Sequence, residues 1–209
     1  MPVKLPGADS FHRHLHLRNQ VSLDAASLPW AYVYATNLTM HPPLIFLTGL
    51  PGAGKSTLAK TLANALNWAW MDTDHELEKV TGSSVPQQFA DGGEQTFRTT
   101  ETEVLALAME ETHTIVATGG GLPAQGNNLR MMLAAGLVIW LNTPLEQCAE
   151  RLQAEGVQNR PLFAALTDAE SIKTMLASLL EARVPYYAQA HLVVNDATAI
   201  GRLLSLMKR

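Results

Sequence analysis

The sequence is poor in the features that mark several protein classes. It has one cysteine, Cys148, in 209 residues. An internal disulfide framework is therefore excluded, and a reducing compartment is expected. Cys148 itself reads as a small buried hydrophobe. Charged residues make up 16% of the chain, and the net charge is −4. That balance leaves no broad basic surface for nucleic acid, so no nucleic-acid partner is expected. No apolar run approaches the roughly 20 residues that span a membrane. The N-terminus lacks the apolar core of a secretory signal. The expectation is a cytoplasmic protein without a membrane partner. No Asn-Lys-x-Asp string occurs, which weakens a guanine-reading GTPase. There is no internal repeat and no low-complexity tract.

What is present is globular. Hydrophobic residues make up 47% of the sequence, and the length suits one domain with a sizeable core. Residues 1–39 differ from the rest, with two early prolines and no lasting period. They read as a poorly ordered or loosely packed extension. His12, His14 and His16 would share one face of a strand there. No carboxylate or cysteine lies at a helpful spacing, so a metal site is disfavoured.

From residue 43 strand and helix patterns alternate. LIFLTG (44–49) is a short apolar run ending in glycine, and KSTLAKTLANALN (55–67) has helical spacing. WAWMDTD (68–74) reads as a second strand ending in carboxylates. Residues 85–111 suggest a short helix, a DGG break and a longer helix. TIVATG (114–119), LVIWLN (137–142) and HLVVN (191–195) complete five strands. Helices are expected at 127–136, 144–155, 168–190 with an interruption near Pro185, and 197–209. This alternation predicts an α/β fold, a five-stranded parallel sheet with helices on both faces. Ligands in such sheets bind beyond the carboxyl ends of the strands. The segment 153–166 breaks the rhythm and reads as a small mobile lid.

G-L-P-G-A-G-K-S (49–56) matches G-x-x-x-x-G-K-[ST] in the required strand–loop–helix context. Its glycines let backbone N–H groups turn inward onto phosphate oxygens, at the positive end of the following helix. Lys55 is placed to reach the β- and γ-phosphates, and Ser56 to offer a hydroxyl to Mg²⁺. The motif points to nucleoside triphosphate binding and does not name the acceptor.

The acceptor side is less direct. MDTD (71–74) sets Asp72 and Asp74 one residue apart. On an extended chain both would face the cleft, one for Mg²⁺ and one for a hydroxyl acceptor. The other reading is a solvated turn with helix-capping aspartates. Arg98, Arg160 and Arg183 are each ambiguous alone. Together they suggest an anionic acceptor, because arginine holds carboxylates bidentately. TIVATGGGLP (114–123) adds a second glycine run, which alone reads as a strand-ending turn.

The ordered set GLPGAGKST, MDTD, FR, ATGGG, RPL and R-x-P-x-Y resembles that of the shikimate kinases, over residues 43–209. The resemblance implies a three-layer P-loop kinase fold and ATP-dependent phosphorylation of the shikimate 3-hydroxyl, a step towards chorismate and the aromatic amino acids. It implies ATP at Gly52, Ala53, Gly54, Lys55, Ser56 and Thr57. It implies Mg²⁺ at Ser56 and, through water, at Asp72. Asp74 would bind the shikimate hydroxyls and accept the proton. Arg98, aided by Arg183, would grip the carboxylate. Gly119, Gly120 and Gly121 would present backbone to the substrate. Arg160 would close over the phosphates. A monomer is expected.

Three departures stand out. The stretch from Arg151 to Arg160 is a little long for the family, which leaves the part of Arg151 open. LPAQGNN after the glycines replaces a commoner aliphatic continuation. Residues 1–39 have no counterpart. The rival readings are a kinase for another polyol acid such as gluconate, which should not need both Arg98 and Arg183, and a non-catalytic nucleotide-binding module.

Overall fold

Strand β1, Leu44–Thr48, is buried along its whole length, as an apolar run with a neighbour on each side must be. The computed structural model describes residues 44–158 and 160–195, together with 201 and 205, all within the unit Pro42–Arg209. The expectations for the first 39 residues, for the histidines at 12, 14 and 16, and for a continuous helix over 197–209 lie outside the described residues.

The elements alternate as the sequence pattern predicts. Strands β2 (Ala69–Asp72), β3 (Thr114–Ala117), β4 (Leu137–Leu141) and β5 (Leu192–Val194) join β1 in one sheet, in the order β2-β3-β1-β4-β5. Every pairing is parallel. Leu47 of β1 sits between Ala117 of β3 and Ile139 of β4. The first two connections place β2 and β3 on one side of β1 and the later ones place β4 and β5 on the other, so β1 ends at the topological switch point. That is where a ligand cleft opens in such a sheet.

Six α-helices are described: α1 (Lys55–Leu66), α2 (Thr73–Thr81), α3 (Val85–Ala108), α4 (Asn128–Ala135), α5 (Leu145–Glu155) and α6 (Ala169–Tyr187). Helix α1 buries Leu58, Ala59, Leu62 and Ala63, one stripe at helical spacing. It stops at Asn67, whose left-handed φ of 55° returns an N–H to Ala63 O. Ser84 caps α3 by accepting from the Gln87 N–H, and Asp168 caps α6 by accepting from the Ser171 N–H at 2.8 Å.

Three expectations change. The second strand stops at Asp72; Thr73 and Asp74, read as its end, and residues 75–81, unassigned by the sequence pattern, form α2. Asp72 caps this helix by accepting from the Asp74 N–H at 3.1 Å, so the capping reading of the pair is the structural one. The two carboxylates therefore do not project side by side from an extended strand. Second, Pro185 does not interrupt its helix, which runs on to Tyr187. Third, α3 ends at Ala108 rather than 111. The expected DGG break is present as a kink at Gly93, whose φ of 71° and ψ of 174° only glycine adopts readily.

Candidate active site

The first glycine run leaves β1 and turns into α1 through Gly52 (φ 75°) and Gly54 (φ 92°). Space as well as φ demands glycine at 52, because a Cβ there would lie 2.5 Å from Cys148 O on α5. The Lys55 ammonium folds back over the loop and donates to Gly49 O at 3.0 Å and Leu50 O at 2.9 Å. Burial lowers its pKa to about 8, against the pull of Asp74 and Asp72. The Arg151 guanidinium donates to Gly52 O at 3.1 Å and Ala53 O at 3.2 Å, tying α5 to the loop.

The Ser56 hydroxyl donates to Asp72 Oδ2 at 2.5 Å. A hydroxyl and a carboxylate converging at the loop are the hard oxygens that Mg²⁺ takes, and their pairing fits that ion. Among the described residues no group of three or more His, Cys, Asp or Glu could hold a metal by itself. An ion here would complete its shell with phosphate and water oxygens.

Asp74, in the first turn of α2, sits between the two halves of the cleft. Burial raises its pKa to about 6, Asp72 adds to the rise, and Lys55 and Arg160 oppose it. Across from it Gly119 is bare. A Cβ there would lie 2.7 Å from Asp74 Oδ1 and 2.9 Å from Glu101 Oε1. The Gly119 amide donates to Thr73 Oγ1 at 2.8 Å, so that N–H is already taken. A Cβ on Gly121 would meet Arg98 Nη1 at 2.9 Å, and one on Gly120 would meet Arg183 Nη1 at 3.1 Å. The second glycine run thus packs its backbone against Asp74, Arg98 and Arg183 rather than against the nucleotide loop alone.

Arg98 donates through Nη1 to Glu101 at 2.6 Å and through Nη2 to the exposed Glu94 at 3.2 Å. Its guanidinium lies 5.2 Å from the Phe97 ring centre. Glu101 is 2% exposed. Burial raises its pKa to about 6, with Arg98 pulling the other way. Arg183 is buried on α6, and its Nη1 has no hydrogen-bond partner among the described residues. Such an orphan donor in a cleft suits an anionic oxygen.

Arg160 reaches back to Glu155 at 3.3 Å; Glu155 is exposed and Arg160 half-buried. Backbone bonds from Arg160 N to Val157 O and from Phe163 N to Arg160 O make the segment a chain of turns. Buried Val157 and Phe163 pin it to the body. One cavity of about 1010 Å³ joins the nucleotide loop, Asp74, Arg98, Gly119–Gly121, Arg160 and Arg183. Every residue that the resemblance assigns to ATP, Mg²⁺ or shikimate lies along it, as does Arg151. Sequence reasoning missed Glu101 and Tyr187. Glu101 could have been found as the i+3 partner of Arg98. Tyr187 closes the R-x-P-x-Y string.

Comparison with known proteins identifies the family. Residues 51–202 match the family model described as shikimate kinase. The chain belongs to the shikimate kinase family. It is 45% identical over 148 residues to a shikimate kinase of Synechococcus elongatus, covering 71% of this chain and 74% of that one. The shikimate kinase of Acinetobacter baumannii solved in complex with shikimate superposes with a TM-score of 0.71. It is 35% identical, over 79% of this chain and 93% of that chain. The shikimate kinase of Bacteroides thetaiotaomicron gives 0.72, with 30% identity over 79% and 98%. The fold is that of a P-loop kinase, and the enzyme is a shikimate kinase, a phosphotransferase whose acceptor is a shikimate hydroxyl.

Proposed function

We propose that the cleft phosphorylates the shikimate 3-hydroxyl from MgATP, with the nucleotide on Gly52–Thr57 and shikimate on the wall made by Asp74, Arg98, Gly119–Gly121 and Arg183. The observation that carries this division is the place of Asp74. It is coupled to Lys55 and Asp72 on one side and faces bare Gly119 on the other. MgATP supplies the transferable phosphoryl group and a cation to neutralise its charge. Ser56 and Asp72 are the residues that would hold the cation, and Lys55 with the loop amides would hold the phosphates.

The protein's own work is positioning and charge. Arg98 and Arg183 fix the acid's carboxylate, and the bare glycines admit its ring against backbone. Asp74, raised to about 6, is ionised at neutral pH yet basic enough to orient a hydroxyl and take its proton. The Gly120 and Gly121 amides, which have no acceptor among the described residues, can meet substrate oxygens. Arg160, on the turn segment after α5, closes over the phosphates and excludes water.

The test is ADP release by purified protein with shikimate, with gluconate and with neither. The reading expects ADP formation that depends on shikimate and is not matched by gluconate. ADP formation indifferent to shikimate would overturn it.

A further inference from the structure

We infer that Tyr187 is a positioning residue for the acceptor, acting through the glycine run. Its hydroxyl donates to Gly120 O at 2.6 Å, although the two residues are 67 positions apart in sequence. The Tyr187 side chain is wholly buried and packs against Trp140 of β4 at 5.7 Å between ring centres. The ring is therefore fixed by the core rather than by the loop its hydroxyl holds, and the hydroxyl also meets the Arg183 side chain.

The consequence follows from peptide geometry. The carbonyl of Gly120 and the amide of Gly121 belong to one planar trans unit and point to opposite sides of it. Anchoring the carbonyl towards α6 aims the Gly121 N–H the other way. Three consecutive glycines leave such a peptide free to rotate, because nothing on Cα opposes either orientation. The tyrosine removes that freedom. Arg183 stands one helical turn before Tyr187 on α6, so one helix delivers both a cation and a peptide-orienting hydroxyl to the same loop.

This inference rests on reading Gly119–Gly121 as the acceptor's seat, and the variants separate the two. Tyr187→Phe keeps the ring and its packing and loses only the hydroxyl. The shikimate KM should rise about 3- to 10-fold, the span that the net worth of one hydrogen bond gives. The ATP KM should move less than about two-fold, within the effect of a change that breaks no nucleotide contact. Trp140→Leu is the control for packing: it loosens the surroundings of the ring and keeps the hydroxyl. It should lower the thermal midpoint more than Tyr187→Phe does and shift the shikimate KM less. An unchanged shikimate KM in Tyr187→Phe, a parallel rise in both KM values, or an equal KM shift in Trp140→Leu would each overturn the role. Gly120→Val reports on the seat. If it raises the shikimate KM while Tyr187→Phe is silent, only the tyrosine's role falls. If Gly120→Val leaves that KM unaltered, the seat itself is wrong.

Discussion

Gly119 and Asp74 face each other so closely that no side chain fits between them: a Cβ on residue 119 would lie 2.7 Å from Asp74 Oδ1. The position has no left-handed φ, so the restriction is one of space. Gly119→Ala should therefore fold and displace the Asp74 carboxylate. A displacement of this kind costs on the order of 100-fold in kcat/KM for shikimate. Steady-state kinetics with each substrate varied in turn check this, and nucleotide affinity should stay near the wild-type value.

Asp74 also sets a pH dependence. Its folded pKa of about 6 lies above the ordinary carboxylate value of 3.8. As a proton acceptor it must be ionised, so kcat/KM for shikimate should fall as the pH drops below about 6, and a limb near 4 would place the base elsewhere. The sign for stability is the reverse. The native state binds the extra proton between pH 3.8 and about 6, so folding loses stability as the pH rises through that window. Asp74→Asn should then abolish turnover and raise stability at pH 7 by about 1–3 kcal/mol. Thermal denaturation of both proteins at pH 4 and pH 7 reads it, with the gain present only at the higher pH.

Arg98→Ala should raise the shikimate KM strongly and leave ATP affinity nearly intact. It should also destabilise the fold by about 2–4 kcal/mol, because buried Glu101 loses its cation. The double variant Arg98→Ala with Glu101→Gln separates the two effects. It should recover much of the stability and none of the shikimate affinity. Denaturant titration and binding isotherms on the three proteins check this.

His191 governs a different window. Its Nδ1 accepts the Val138 N–H at 3.0 Å, at the open end of the β4–β5 pairing, and burial holds its pKa below the usual 6.5. The unfolded chain takes up a proton below pH 6.5 that the folded chain resists. Stability is therefore full above that value and is lost as the pH falls from there through the lowered folded pKa. His191→Asn can keep an acceptor oxygen and cannot titrate. Its thermal midpoint should fall less than that of the wild type between pH 7 and pH 5.

The central strands were legible because a buried parallel strand is a continuous apolar run, and LIFLT, TIVA and LVIWL are such runs. The nucleotide loop was legible because its spacing carries its own mechanism. Helix α2 was not. TDHELEKVT is mostly polar and buries only Thr73 and Leu77, so its periodicity is faint beside the strand before it. Its start was written in Asp72 as a cap, which the sequence offered as one of two readings. The three arginines could be named but not placed, since charge pairing needs the third dimension. Arg98 acquires its meaning from Glu101 one turn away, and Arg183 from a loop more than 60 residues earlier. Pro185 misled because burial of its neighbours Arg183, Val184 and Tyr187 outweighs the single hydrogen bond a proline removes.

The central claim is that Asp74 stands where nucleotide and acceptor meet. A crystal structure with shikimate and a non-hydrolysable MgATP analogue tests it most directly. The account predicts the shikimate carboxylate on Arg98 and Arg183, a ring hydroxyl within hydrogen-bond reach of Asp74, and the triphosphate on Gly52–Thr57. A carboxylate held by Arg160, or a shikimate ring with no hydroxyl near Asp74, would contradict it.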